Sequence, residues 1–149
     1  MVYRKGTSAF ILNDKKEFIL VLGNTKHTYW KIPAGGIERN ETDIEALHRE
    51  VKEELGIEIN ILEKSKYIEK FDWSEKVRQK KLKTKGYYFE GQERSVFITK
   101  IKKNQTFKLQ EEEISDYKWV NKDNYKKYIS LNHQLEFMEK VINEFLEYF

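Results

Sequence analysis

Short apolar runs broken by polar turns dominate this chain, and they predict strands first. Thr7–Leu12 (TSAFIL) is apolar and stops at Asn13-Asp14, a turn signal. Glu17–Leu22 (EFILVL) follows at once, so the two are expected to be neighbouring strands. Tyr29–Ile32 (YWKI) predicts a third, halted by Pro33, which cannot donate to a sheet ladder. Between Ile57 and Phe71 β-branched and charged residues mix, which predicts one strand, long or bulged. Gly86–Phe89 (GYYF) and Arg94–Ile101 (RSVFITKI) predict a strand pair around Gly91, and Asp116–Val120 (DYKWV) a late strand.

In two places the period changes to that of a helix. Ile44, Leu47, Val51 and Leu55 are spaced by three or four and form one apolar stripe. Thr42 and Glu45 stand at the spacing of a capping box, in which each side chain satisfies the other's backbone N–H, and Gly56 supplies a left-handed end. These signals predict a helix from about Asp43 to Leu55. Leu135, Met138, Ile142, Phe145 and Phe149, widened by Val141 and Leu146, predict a second from about Asn132 to Tyr148. Residues 72–85 (DWSEKVRQKKLKTK) show no clear period and are expected to be a loop. Strands with one central and one terminal helix predict an α/β fold, a sheet covered on both faces.

Composition narrows the class. At 149 residues the chain is expected to be one domain, 39% hydrophobic and 36% charged. With 28 basic against 25 acidic residues the net charge of +3 is too small to imply nucleic acid by itself. There is no cysteine, so disulfides and thiolate metal sites are excluded and any metal is held by oxygen or imidazole. No apolar run approaches the ~18 residues that span a bilayer, and Met1-Val-Tyr-Arg-Lys leads into no apolar signal region. A cytoplasmic location with no membrane contact is expected. His27, His48 and His133 show no ligand spacing.

The chemistry concentrates on the first helix. At about 100° per residue, Glu50, Glu53 and Glu54 fall within about 100° of one another, beside the apolar stripe. Glu45 and Arg49 stand at i,i+4 in the favourable order, with Lys52 on the same face. One charged face is therefore expected to be paired and the other to carry unpaired carboxylates. Such a cluster is either a solvated acidic face or the seat of a cation. Oxygen ligands without Cys or His suit Mg²⁺ or Mn²⁺, which take the rest of their shell from water and substrate phosphates.

Gly35, Glu41, Arg49-Glu50-Val51, Glu53-Glu54, Gly56 and Ile57 together match, at nine positions without a gap, G-x5-E-x7-R-E-U-x-E-E-x-G-U, where U is a bulky aliphatic. This stretch resembles the Nudix box, and the chain resembles the Nudix hydrolases. The resemblance implies a Nudix-type α/β/α sandwich with a mixed central sheet, and metal-dependent cleavage of a nucleoside diphosphate linked to a further group. It implies Glu50, Glu53 and Glu54 as metal ligands, with the Gly35 carbonyl contributing to the shell and Arg49 and Glu41 tying loop to helix. It leaves Glu53 and Glu113 both as candidates for the general base.

Outside the box, Tyr3-Arg4, Gly91-Gln92 followed by Phe97, and Glu113 six residues before Trp119-Val120 resemble the branch of RNA 5′-pyrophosphohydrolases and dinucleoside tetraphosphate hydrolases. That resemblance implies Glu113 as a further metal ligand or the base, and Arg4 and Gln92 as substrate contacts. Tyr87, Tyr88 and Trp73 either stack on a base or cover the sheet. Two features depart from the RNA-acting members: Pro33-Ala34-Gly35-Gly36 replaces Pro-Gln-Gly-Gly, and Ser130-Leu131-Asn132 stands where an aromatic and a lysine are usual. Six basic residues between Lys76 and Lys85 point the other way, either as phosphate contacts or as a solvated run. The expected substrate is a dinucleoside polyphosphate or the 5′-triphosphate end of RNA. A nucleoside triphosphate or ADP-ribose pyrophosphatase, and a silent nucleotide- or RNA-binding module, are the alternatives.

Overall fold

The computed structural model describes residues 2–24 and 29–149, so His27 lies outside the described residues. Its elements in order are β1 (Tyr3–Leu12), β2 (Phe18–Gly23), β3 (Trp30–Lys31), β4 (Ala34–Gly36), α1 (Asp43–Leu55), β5 (Ile59–Asp72), α2 (Glu75–Lys85), β6 (Gly91–Ile101), β7 (Ile114–Val120) and α3 (Asn132–Glu144). Short 3-10 turns occur at Tyr125–Tyr128 and Leu146–Tyr148. The strands form one mixed sheet in the order β3-β2-β1-β6-β5, with β4 on β1 and β7 on β2. Among the described strands only β1 and β6 run parallel, and their register sets Tyr3 opposite Gly91 and Arg4 opposite Gln92.

Alternation along the strands builds two cores, one on each face. Phe10, Phe18, Leu20, Val96 and Ile98 meet Met138, Val141 and Ile142 of α3. Ala9, Ile11, Ile19 and Phe97 meet Leu47, Val51 and Leu55 of α1. Each of the larger side chains, removed from water, contributes about 1.5–3 kcal/mol. The result is the expected α/β/α sandwich.

Several elements depart from the pattern read in the sequence. Residues 75–85 form a helix, not a loop: Ser74 accepts from the Val77 N–H (3.3 Å) and Gly86, at φ 76°, closes the end by donating to the Leu82 carbonyl. No residue of this helix is buried, which is why no apolar stripe announced it. Gly86–Phe89 is not a strand. It is the return from α2, and β6 begins at Gly91, where only a residue without a Cβ fits against the Phe71 carbonyl of β5. The long β5 carries register shifts at Ile61/Glu63 and Lys64/Ile68, as a bulged strand should. The last helix ends at Glu144, and the chain tightens into 3-10 form after it. In α1 the bounds agree, but Ile44 is 41% exposed and Ala46 takes its place on the buried face. The first turn is held by polar contacts instead, among them Asp43 to Lys64 at 2.7 Å. None of the described helices is long and apolar enough to cross a membrane.

Candidate active site

The loop between β4 and α1 is pinned by one guanidinium. Arg49 Nε and Nη2 donate to the two oxygens of Glu41 at 2.6 and 2.9 Å, a planar fork meeting a planar carboxylate. Nη2 also donates to the Gly36 carbonyl (3.0 Å), and Glu41 accepts the Glu38 N–H (2.8 Å). These bonds hold the Glu41 carboxyl down at about 2 and push the Arg49 pKa up. The expected Glu45–Arg49 pair is absent because the Glu45 carboxylate accepts from the Thr42 N–H (3.0 Å) to complete the capping box. Arg49 Nη1 instead reaches the face expected to be unpaired, donating to Glu50 (3.0 Å) and Glu53 (3.3 Å).

Glu54 occupies the buried end of this face. It is 7% exposed, and its pKa is pushed up to about 8, first by burial and then by the charges of Glu50 and Glu113. Glu50 is also raised, again by burial first, against the opposing pull of Arg49. The structure therefore brings Glu50, Glu54 and Glu113 together, while Glu53, with a half-exposed side chain, stands at the rim. Among the described residues no three His, Cys, Asp or Glu side chains already converge as a formed metal shell. Arg49 draws Glu50 and Glu53 toward itself. An all-oxygen set with two carboxyls forced toward the protonated form is nonetheless what a hard divalent cation relieves. The residues fit such a cation.

Gly35 is required here for space. A Cβ on it would overlap the Glu50 carboxyl, so the backbone and that carboxylate lie in direct contact. Its neighbour Gly36 is crowded by the Arg4 guanidinium. Arg4 also lies 5.6 Å from the Tyr87 ring, whose hydroxyl is buried without a partner. Gln92 is 6% exposed, with its amide nitrogen against Gly6. Arg4, Gln92 and Tyr87 thus gather beside Gly36, at the loop that Arg49 ties to the glutamate helix.

Two contributors escaped the sequence reading. Lys31 on β3 is desolvated, which lowers its pKa, and lies in the field of Glu54 and Glu113. The segment before β7 is laced onto the end of α1 through Lys108 N–H to Leu55 O and Gln110 N–H to Glu54 O, both 2.9 Å. That lacing carries Glu113 to Glu54. Only the open carbonyls that end every helix hinted at it.

Comparison with known proteins agrees with this geometry. The RNA pyrophosphohydrolase of a Nitratiruptor species is 33% identical over 99% of this chain and 93% of its own length. That of Helicobacter pylori is 33% identical over 71% and 68%. Among solved structures, a C. elegans Ap4A hydrolase shares the fold at a TM-score of 0.70 and 19% identity, over 97% of this chain and 99% of that one. The model of the NUDIX domain matches residues 2–142, and with it the chain belongs to the Nudix hydrolase family.

Proposed function

We propose that this hydrolase removes pyrophosphate from the 5′-triphosphate end of RNA, in the cytoplasm, using Mg²⁺ or Mn²⁺ held by Glu50, Glu54, Glu113 and the Gly35 carbonyl. Divalent-metal dependence belongs to the family. The observation that carries the assignment of the ligands is the compressed carboxylate cluster, in which burial and the charge of Glu50 keep a proton on Glu54 near neutral pH even with Lys31 close by. When bound, the cation neutralises phosphate charge and lowers the pKa of water. The RNA reading draws its support from the similarity to the two bacterial RNA pyrophosphohydrolases.

The chain's own residues do the rest. Water attacks phosphorus, the bridging P–O bond breaks, and the proton of the attacking water passes to Glu53. Arg49 holds one oxygen of Glu53 at 3.3 Å, which fixes the carboxylate at the solvent rim and leaves its other oxygen for water. Lys31 offers a cation to the phosphates beside the carboxylates, and Arg4 and Gln92 hold the first nucleotide over Tyr87. A dinucleoside polyphosphate is the second reading, favoured by the same Arg4–Tyr87 platform, which takes either kind of nucleoside.

A panel of 5′-triphosphorylated RNA, diadenosine tetraphosphate, nucleoside triphosphate and ADP-ribose, with products identified, tests this. The expected result is 5′-monophosphorylated RNA formed faster than any other product. Faster turnover of another member overturns the RNA assignment, and no metal-dependent turnover of any member overturns the hydrolase mechanism.

A further inference from the structure

Helices α1 and α3 each bury a face, whereas α2 buries none. A free helix of eleven residues is marginal in water, so this one is held by its caps and its attachment rather than by a core. The attachment is to Glu90. The Glu90 carbonyl accepts from Trp73 N–H (2.9 Å) and Arg78 Nε (3.0 Å), and its own N–H donates to the Val2 carbonyl (2.8 Å). Val2 and Glu90 immediately precede the paired ends of β1 and β6, where Arg4 faces Gln92. The helix therefore stands beside the substrate end of the sheet.

Its chemistry is lopsided. Six of its eleven residues are basic and one is acidic. Arg78 is committed to Glu75 and Glu90, but among the described residues Lys76, Lys80, Lys81, Lys83 and Lys85 have no carboxylate within ion-pair distance. Lys81 lies 5.8 Å from the Trp73 ring and is partly desolvated in the field of Arg4, Lys85, Lys80 and Lys31. Lys81 therefore feels the charges of Arg4 and Lys31 as well as those of the lysines on its own helix. Tyr88, just past the helix, is 43% exposed.

We propose that α2 and Tyr88 form a docking surface for the single-stranded RNA that continues from the 5′ end held in the cleft. Lys80, Lys81 and Lys85 meet successive backbone phosphates, and Tyr88 stacks on a base. This rests on the RNA reading of the cleft. A dinucleoside polyphosphate keeps its phosphates at the glutamate cluster, and so leaves a helix about 16 Å long without an anion. A polymer with one phosphate per nucleotide supplies them.

The test is fluorescence anisotropy of the full chain with a 5′-hydroxyl single-stranded RNA twelve-mer, which has no anhydride to cleave, without divalent metal and over a series of KCl concentrations. The wild type is expected to lose affinity with salt, and Lys80→Gln/Lys81→Gln/Lys85→Gln to bind about tenfold more weakly at low salt with a slope shallower by about 2. The matching Lys→Arg variant restores both, and circular dichroism checks that the fold is kept. Equal slopes for wild type and the Gln variant overturn the proposal, as does binding of anionic vesicles in preference to RNA. In parallel, hydrolysis of a triphosphorylated dinucleotide, which carries a single internucleotide phosphate, is expected to fall far less in the variant than RNA binding does, and a matching fall of about tenfold in its turnover overturns the surface role. Failure of the wild type to turn it over, with the salt slope present, removes the catalytic reading and leaves the RNA surface standing.

Discussion

Helices α1 and α2 are built with the same ends and opposite middles. Each has a hydroxyl N-cap and a left-handed glycine C-cap, Gly56 at φ 70° and Gly86 at φ 76°. Between the caps, α1 buries Ala46, Leu47, Val51 and Leu55 and sets carboxylates at the edge of that stripe, whereas α2 buries no residue and carries lysines. A helix with a core-facing stripe positions its charged groups rigidly, and α1 can therefore hold acids at unfavourable protonation. One without a stripe can only present its charges to solvent or to a ligand. Rigid acid and solvated base fit the two tasks assigned to them, breaking a bond and holding a chain.

The sharpest test of the division is Glu53→Gln. It is expected to lower kcat by at least about a hundredfold with little change in melting temperature, since the side chain is half exposed. Near-normal turnover at saturating metal would sink the assigned role. Gly35→Ala comes next. The added methyl overlaps the Glu50 carboxyl, so steady-state kinetics should show a fall of about tenfold or more in kcat, together with a weaker dependence of rate on metal concentration.

The third prediction concerns pH. The folded Glu54 pKa of about 8 lies above the ordinary 4.5, so the native state keeps a proton that the unfolded chain releases. Its contribution is fully present below about pH 4.5 and is lost as pH rises toward 8. In metal-free protein this linkage lowers stability across that window, and Glu54→Gln should flatten it in a series of thermal melts. Added Mg²⁺ should raise the melting temperature more at pH 8 than at pH 5.5. The same series with α2 lysines replaced should keep the wild-type dependence, and if it does not, the comparison of the two helices fails.

The smallest effect separates the two caps. Gly86→Ala meets no atom within 4 Å and should cost only the strain of a left-handed residue, about 1 kcal/mol, by denaturant titration. Gly56→Ala meets the Lys108 backbone at 3.0 Å and should cost more. Equal costs would mean that the segment laced onto α1 yields freely.

Much of the site was legible in the sequence because it is local. The capping box and the Gly56 end lie within one helix, and α1 has the bounds those signals mark, while the tie of Arg49 to Glu41, which the resemblance implied, is also made. Helix α2 was not legible, since periodicity reports burial and α2 has none. Of the two partners expected for Arg49, Glu41 is engaged and Glu45 is not, because i,i+4 spacing does not know that a capping box has already engaged Glu45. Glu113 was named from resemblance, but its reason for standing at Glu54 is the hydrogen bonding of residues 108 and 110 to the end of α1.

By itself, then, the sequence determined which residues could form a helix, where that helix starts and stops, and that its acids sit on one face. Those follow from bonds made within a few residues. The tertiary structure decided which acid keeps a proton, because Glu54 becomes costly to ionise once burial and Glu113 add to the charge of Glu50 one turn away on the same helix. It also decided where helix α2 stands, because Glu90 ties that helix to the first residues of the chain beside β1. Burial and long-range contact set electrostatic energies, and neither is written in spacing.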